Sequence, residues 1–435
     1  MEKTDILIHG CIILPMNGKD CIKDGMLLIK NRKIAFMGKS ALANSIEADV
    51  KINAKGKAAL PGLINCHTHV PMTLFRGVAE DQELNTWLKQ TIWPLEAKLR
   101  QEDVYVGALL GCLEMIKSGT TCFADMYYHE DMIAKATKKS GLRGVLAQGI
   151  FEAGNKMRGE KMLAESVNFA RSFNGYANDR VRTMLGPHAA YSCRQNLLTK
   201  ISKKASELNV GVHIHLAESK AIFWEFEKKY GSSEVEFLDK MGFLKGHVLA
   251  AHCIKLSRKD MLILSKCGVN VVYVPVANMK LGLGAAKIKD LTDLGVNVSL
   301  GTDGPASNNS LDMFETMKIA ALLQKLTYQN PKVMPAYEIL KMATINGAKA
   351  LGLGESIGSL EIGKKADIIL VDLSKPHLKP LHNIYVSIVY SARGSDVDTV
   401  IVNGKILMEN RQVKTLDEQA VMEKAEKTAL DLLSR

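Results

Sequence analysis

The chain contains 435 residues, of which 47% are hydrophobic and 24% are charged, so it is long and apolar enough to fold around a large core. Its net charge of +11 is spread along the chain without a block of basic residues, and we expect no nucleic-acid partner. No apolar run is long enough to span a membrane and no cleavable signal pattern occurs, so we expect no membrane partner. The eight cysteines form no CxxC pair, which favours reduced thiols and a cytoplasmic location.

The first 57 residues predict a small β-sheet module. Short apolar segments alternate there with turn residues such as Asn17-Gly18, Asp24-Gly25 and Asn31-Arg32. The predicted strands are Asp5–Ile8, Ile12–Leu14, Gly25–Ile29 and Lys33–Gly38.

From residue 58 onward the pattern predicts a barrel. Amphipathic stretches at 103–117, 195–207, 220–241 and 257–266 separate buried apolar runs. The eight apolar runs lie at 58–66, 119–126, 142–150, 181–188, 210–217, 247–253, 268–275 and 296–303. Alternating strands and helices imply parallel strands, and eight repeats favour a closed (β/α)8 TIM-type barrel over an open sheet. Catalytic residues of such barrels lie where the strands end.

Strand patterns return after the barrel, at Lys365–Asp372 and Thr399–Val402, and an apolar stripe predicts a helix at the C-terminus. We expect these strands to complete the sheet begun at the N-terminus. The predicted domains are a (β/α)8 barrel over residues 58–357 and a smaller, discontinuous β-sandwich domain. Residues 1–57 and 358–435, including the C-terminal helix, form the second domain.

Histidines and acids occur at the ends of several predicted barrel strands. His67 and His69 are two positions apart, as are His213 and His215, so the members of each pair point to the same side of a strand. His215 lies nearer the strand end, and we interpret His213 as a packed histidine one layer deeper in the barrel. With Asp303 at the end of the eighth run, these residues predict a metal site with ligands His67, His69, His215 and Asp303.

Three imidazoles and one carboxylate suit one divalent ion, Zn²⁺ or alternatively Fe²⁺. No lysine stands where carbamylation would let it bridge two metals, which favours a single ion. Such an ion lowers the pKa of bound water to about 7. We expect Asp303 to accept the proton of that water, Glu218 to deliver a proton to the substrate, and His252 to orient the reacting oxygen.

Four motifs together resemble the amidohydrolase superfamily: PGLINCHTH, HIHLAE, AAHC and GTDGPASNN. The segment from Gly358 to Asp372 resembles the superfamily's return into the small domain, so the resemblance covers nearly the whole chain. Further segments resemble the 5-methylthioadenosine/S-adenosylhomocysteine deaminases: HVPMTLFRGVAED (69–81), WLKQTIWPLEAKL (87–99), EMIKSGTTCFADM (114–126), GPHAAYSC (186–193), NMKLGLG (278–284) and TDGPASNNSLDMFE (302–315).

The family resemblance implies a hydrolase that removes the 6-amino group of an adenine nucleoside and releases ammonia. Its small-molecule substrate would be 5′-methylthioadenosine, S-adenosylhomocysteine, 5′-deoxyadenosine or adenosine. The same resemblance implies that Glu96 accepts hydrogen bonds from ribose hydroxyls, that Glu218 contacts the purine, and that His188 contacts the nucleoside. It also places an arginine in the site. Arg158 is the candidate, with a solvated surface charge as the alternative because its loop matches the family poorly.

One segment departs from the family pattern. At the end of the seventh run the family has His-Asn-Pro-x-Ser-Asn, whereas this chain has Tyr273-Val274-Pro275-Val276-Ala277-Asn278. We expect this change to make one wall of the site less polar.

Two other functions remain open on the sequence alone. One is an aminohydrolase or chlorohydrolase that acts on a bare heteroaromatic ring such as guanine, cytosine or a triazine. The other is a barrel that has lost catalysis and serves as a binding protein, although all four expected ligands are present. The sequence leaves open whether the chain forms a homo-oligomer.

Overall fold

The computed structural model of the protein describes residues 5–435, which form two sheets. One is an eight-stranded parallel sheet, and the other is a nine-stranded mixed sheet built from both ends of the chain. The predicted (β/α)8 barrel and the smaller domain shared by both chain ends are confirmed. Among the described residues, no helix has the length and apolar character needed to cross a membrane.

The barrel strands follow one another around the sheet in chain order, each parallel to its neighbours. They span Leu63–Thr68, Thr120–Tyr127, Arg143–Ile150, Val181–Pro187, Gly211–Leu216, Val248–His252, Asn270–Tyr273 and Val298–Leu300. Hydrogen bonds beyond the last strand close the barrel. The Asp303 N–H donates to the His67 carbonyl oxygen at 3.0 Å, and the Thr302 N–H donates to Asn65 Oδ1 at 3.0 Å. The first and last strand ends therefore meet at one seam.

The predicted apolar run at 58–66 is divided between the two sheets. Lys57–Pro61 pairs with Ile368–Asp372 in the small sheet, whereas Leu63–Thr68 is the first barrel strand. Gly62 lies between them, and a Cβ there would come within 2.1 Å of the Thr121 side chain, so only glycine fits this crossing. The remaining strands of the small sheet are Ile6–Ile13, Ile22–Lys30, Lys33–Lys39, Val50–Asn53, Val397–Val402, Lys405–Glu409 and Gln412–Val413.

Helices connect the barrel strands and cover the barrel. The α-helices of six or more residues are Gln101–Lys117, Glu130–Ser140, Lys156–Phe173, Gln195–Leu208, Lys220–Tyr230, Glu234–Lys240, Arg258–Cys267, Pro275–Lys280, Ile288–Asp293, Met313–Thr327, Ala336–Met342, Ile345–Ala350 and Glu418–Ser434. The segment 220–241, predicted as one amphipathic stretch, forms two helices because Gly231 takes a left-handed conformation with φ 66°.

The C-terminal helix Glu418–Ser434 packs on the barrel helix Gln101–Lys117. Arg435 donates to both carboxylate oxygens of Asp103, at 2.6 and 3.0 Å, and Lys424 Nζ lies 2.9 Å from Glu102 Oε1. This helix therefore lies against the barrel, although the sequence grouped it with the small domain.

Candidate active site

The barrel seam brings together the ends of the first and last strands and their polar side chains. Asp303 Oδ1 lies 3.4 Å from His67 Nε2 and 3.2 Å from His69 Nε2. The second carboxylate oxygen, Oδ2, accepts a hydrogen bond from the Ser307 hydroxyl at 2.8 Å. Asp303 itself has a left-handed backbone with φ 66°. A non-glycine residue in this conformation at the end of a barrel strand is typical of a functional site.

His215 and His252 complete a cluster of imidazoles around His67. The ring centroids of His67 and His215 are 4.9 Å apart, and the His252 ring lies 5.5 Å from His67 and 5.4 Å from His215. The potential ligand atoms of His67, His69 and Asp303 all lie within 4.8 Å of one another, as do those of His67, His215 and His252. The structure thus brings all four predicted ligands together, with His252 beside them.

The second ring nitrogen of each predicted histidine ligand is already occupied. His69 Nδ1 lies 2.6 Å from the Met126 carbonyl oxygen, and His215 Nδ1 lies 2.8 Å from the His188 carbonyl oxygen. A carbonyl oxygen can only accept, so each Nδ1 carries the proton and each Nε2 presents a lone pair. This is the arrangement usual for histidines that bind metal.

His67 is held by another histidine, since its Nδ1 lies 2.8 Å from Nε2 of His213. Both side chains are fully buried. Within residues 5–435, the buried Nε2 of His67 has no hydrogen-bond partner. Three imidazoles and one carboxylate gathered around His67 suit a divalent cation such as Zn²⁺.

The sequence did not predict the contact between His213 and His67. It indicated only that His213 is packed inside the barrel. Alternation along the strand places His213 on the inner face, one layer below His215, but its partner belongs to a distant strand. The available signal was the HxH spacing itself, which directs both rings into the barrel.

Glu218 follows the fifth strand and approaches the cluster from one side. Its Oε1 lies 3.8 Å from His252 Nε2, and His252 Nδ1 lies 3.0 Å from Asn278 Oδ1. Burial raises the pKa of Glu218. Burial also disfavours ionisation of Asp303, but the adjacent His67 and His69 imidazoles outweigh it and hold the pKa of Asp303 well below its usual range. The two carboxyl groups therefore differ in their readiness to hold a proton.

A cavity lies over these groups, closed mainly by apolar side chains. Its lining comprises His69, Met72, Trp87, Leu88, Ile92, Trp93, Glu96, Met126, Tyr127, Tyr128, Gly149, Ile150, Phe151, His188, Tyr191, His215, Glu218, His252, Leu281 and Asp303. Three of the predicted substrate-binding residues, Glu96, His188 and Glu218, are in this lining. Burial raises the pKa of Glu96 to about 7 and lowers the pKa of His188 to about 3. A small site rich in apolar walls with few polar groups is typical of a ligand pocket.

Arg158 lies outside this cavity. It is the third residue of the helix Lys156–Phe173, it is exposed, and its guanidinium carbon lies 5.0 Å from the centre of the Phe151 ring. It lines an adjoining cavity that shares Trp93 and Glu96 with the first. The structure thus places Arg158 next to the site and not within it.

The segment that departs from the family pattern lies beside the cavity, and its substituted side chains point elsewhere. Tyr273 points away from the cavity, and its hydroxyl accepts a hydrogen bond from Gln324 Nε2 at 3.0 Å. Val274 and Ala277 pack in an apolar cluster. Leu281 supplies the wall on this side of the cavity, and Asn278 keeps its contact with His252. None of the side chains of Tyr273, Val274 and Ala277 lines the cavity, and the effect of these substitutions on its polarity stays a prediction.

The fold and the cluster of histidines with an aspartate define a barrel with a metal-binding site at the carboxyl ends of its strands. The sequence profile of the amidohydrolase family matches residues 58–407. The chain belongs to the amidohydrolase family.

Relatives align with the chain from end to end. A 5′-deoxyadenosine deaminase from Methanosarcina mazei is 49% identical over 99% of both chains. A 5-methylthioadenosine/S-adenosylhomocysteine deaminase from Desulforamulus reducens is 44% identical over 99% of both chains. Among solved structures, an adenosine deaminase from Xanthomonas campestris with bound zinc has a TM-score of 0.94 and 31% identity, with 99% of each chain covered.

Proposed function

We propose that this chain is a metal-dependent hydrolytic deaminase that converts adenine nucleosides to the corresponding inosine analogues and ammonia. One observation carries the proposal: a single cavity is lined by predicted metal ligands, by the neighbouring pair Glu218 and His252, and by the half-buried carboxyl of Glu96. The metal ligands together with Glu218 and His252 suit hydrolysis with proton transfer, and Glu96 suits binding of a ribose. The names of full-length relatives support the same reaction.

We infer that His67, His69, His215 and Asp303 hold one Zn²⁺, with Fe²⁺ as the alternative. The donor set and the zinc bound to the adenosine deaminase from Xanthomonas campestris support this assignment. When bound, such an ion acts as a Lewis acid that makes water nucleophilic at neutral pH. We place the reaction in the cytoplasm, which agrees with the free thiols of all eight cysteines.

The chain's own residues would then handle protons and orientation. Asp303, whose pKa is low, accepts a proton from the attacking water, whereas Glu218, whose pKa is raised, carries a proton to the purine nitrogen. His252, oriented by Asn278, hydrogen-bonds the reacting oxygen. His188 contacts the nucleoside. Glu96, when ionised, accepts hydrogen bonds from the ribose hydroxyls.

The adjoining cavity supports substrates with groups at the 5′ position. Its volume is about 900 Å³, and it shares Trp93, Glu96, Tyr128 and Phe151 with the site. A nucleoside whose ribose contacts Glu96 would direct its 5′ end toward this space. We therefore propose 5′-deoxyadenosine, 5′-methylthioadenosine and S-adenosylhomocysteine as substrates beside adenosine, with Arg158 near the far end of the longest one.

The test is ammonia release, together with the absorbance change from adenine to hypoxanthine, by zinc-loaded enzyme. The panel contains the four nucleosides, guanine, cytosine and an aminotriazine. We expect turnover of the nucleosides alone, and a Glu96→Ala variant should lose at least about 10-fold in kcat/KM because the acceptor for the ribose hydroxyls is removed. Glu102→Ala, which alters an exposed carboxylate on a surface helix, is the control. Turnover of a bare ring that is unaffected by Glu96→Ala would show the alternative heteroaromatic hydrolase to be correct.

A further inference from the structure

Glu218 reaches the site through an unusual turn. The fifth barrel strand ends at Leu216, and Ala217 adopts a left-handed backbone with φ 50° before Glu218. An alanine disfavours this conformation because of its Cβ, so surrounding contacts must hold it. The direction of the Glu218 side chain depends on this one residue.

Both sides of the Ala217 backbone are held by hydrogen bonds. Its carbonyl oxygen accepts from the N–H groups of Ile254 and Lys255, each at 3.0 Å. Its N–H donates to Oε2 of Glu234 at 2.9 Å. The first contact joins the turn to the loop after the sixth strand, and the second joins it to a helix that is distant in sequence.

Glu234 is well placed to act as a fixed acceptor. It is the first residue of the helix Glu234–Lys240, and only 3% of its surface is exposed. The N-cap residue Ser233 accepts a hydrogen bond from the Glu236 N–H at 3.1 Å, and its hydroxyl donates to Asp260. The backbone of Glu234 is thus anchored before its side chain reaches toward the turn.

The second carboxylate oxygen of Glu234 and one hydroxyl of the cavity lining are both buried without a partner in the described part of the chain. Neither Glu234 Oε1 nor the Tyr191 hydroxyl has a hydrogen-bond partner among residues 5–435. Tyr191 lines the cavity, and burial together with the nearby carboxyls of Glu218 and Glu234 raises its pKa well above the usual value. Burial and, to a smaller extent, the nearby Glu218 carboxyl raise the pKa of Glu234, so these two carboxyl groups lie near each other.

We propose that Glu234 is a positioning residue for the proton-transferring Glu218: by accepting the Ala217 N–H it fixes the left-handed turn that directs Glu218 toward His252. The inference rests on the proposed deaminase function for its kinetic consequence but not for its structural one. The proposed role requires a hydrogen-bond acceptor at the end of a side chain as long as glutamate, and it does not require a negative charge.

Two substitutions of Glu234 distinguish the effect of side-chain length from the effect of charge. Glu234→Gln keeps an oxygen acceptor at the same distance, so kcat should stay within about 3-fold of the wild-type value. Glu234→Asp keeps the charge but withdraws the carboxylate by one methylene. We expect it to lower kcat by about 10- to 100-fold with little change in KM, because a displaced catalytic group loses its alignment. Glu236→Asp, on the same helix but in a partly exposed ion pair with Lys259, is the matched control and should behave as wild type.

A second readout is independent of activity. Hydrogen exchange at the Ala217 amide, measured on zinc-loaded protein, should be at least about 10-fold faster in Glu234→Asp than in wild type or Glu234→Gln. Bound zinc should be equal in all variants, since no metal ligand is changed. Unchanged exchange in Glu234→Asp, or equal loss of kcat in Glu234→Gln and Glu234→Asp, would overturn the proposal. Faster exchange in an enzyme whose wild type deaminates no nucleoside would support the positioning role and refute the proposed function.

Discussion

Orientation of the histidines at the site depends on groups that do not themselves face the substrate. Backbone carbonyl oxygens hold His69 and His215, Asn278 holds His252, and His213 holds His67. A rotating imidazole ring would otherwise lose side-chain entropy on binding a metal, and it would lack a defined tautomer. The deepest of these contacts is the one between two buried histidines.

His213→Ala tests that contact. We expect the affinity for Zn²⁺ to fall by about 10- to 100-fold because His67 loses the group that orients its ring. Competition with a chromophoric chelator measures the dissociation constant without reference to activity. His247→Ala is the control, since His247 contacts the Ala350 carbonyl oxygen and is not part of the cluster. Equal zinc affinities in wild type and His213→Ala would contradict the role of His213.

The pKa of Glu96 predicts a dependence of substrate binding on pH. Burial raises this pKa to about 7 in the free enzyme. The ionised carboxylate accepts hydrogen bonds from ribose hydroxyls at both of its oxygens, whereas protonation turns one of these oxygens into a donor. As pH falls below 7, Glu96 takes up a proton, and kcat/KM for 5′-deoxyadenosine should decrease by up to about 10-fold per pH unit. The measurement is kcat/KM between pH 5.5 and 8.5, and Glu96→Gln should lack this limb. Persistence of the same limb in Glu96→Gln would assign it to another group.

At the scale of elements, the barrel depends on contacts with the small sheet. Arg143 is the first residue of the third barrel strand, Arg143–Ile150. Asp367 immediately precedes the strand Ile368–Asp372 of the small sheet. Arg143 Nε lies 2.9 Å from Asp367 Oδ2, and a second guanidinium nitrogen lies 3.1 Å from Oδ1. Both side chains are buried, so this paired contact links the barrel to the small sheet away from the surface.

Arg143→Ala should lower the free energy of unfolding by about 3–5 kcal/mol, because it leaves the Asp367 carboxylate buried without its partner. Urea denaturation followed by circular dichroism measures the change. Lys289→Ala removes an exposed ion pair with Asp293 on a surface helix and should cost about 0.5 kcal/mol or less. A loss in Arg143→Ala no larger than in Lys289→Ala would show that the buried pair does not contribute to stability.

At the scale of the whole molecule, the proposed metal site joins residues that are far apart in sequence. His67, His215 and Asp303 come from the first, fifth and eighth barrel strands or their ends, so their shared ion would cross-link the barrel. A ligand that binds only the folded state stabilises it in proportion to the logarithm of its concentration over its dissociation constant. Metal content should therefore affect the stability of the entire barrel.

Removal of zinc by a chelator should lower the apparent unfolding temperature. Restoring free zinc to a hundredfold excess over its dissociation constant should recover about 2.7 kcal/mol. Differential scanning fluorimetry of chelated and reloaded protein measures the shift. His215→Ala should lose most of it, whereas His247→Ala should keep it in full. A shift of equal size in His215→Ala would place the stabilising zinc at another site.

Local patterns in the sequence determined the alternation of strands and helices, the (β/α)8 barrel and the two histidine pairs, because strand periodicity and buried apolar runs are properties of short segments. Family motifs added Glu96 and His188, and the structure places both in the cavity. The sequence left Arg158 either in the site or on the surface as a solvated charge. Its position depends on where the helix Lys156–Phe173 begins and on its contact with the Phe151 ring, which only the structure shows.

Only the tertiary structure decided the contacts between segments distant in sequence. The division of the run at 58–66 depends on Gly62 and Thr121, and the docking of the C-terminal helix on the barrel depends on Asp103. The pairing of His213 with His67 and the hydrogen bond from Ala217 to Glu234 join strands and helices that no local pattern connects. Periodicity shows which face a side chain occupies, but the fold alone determines which other side chain it meets there.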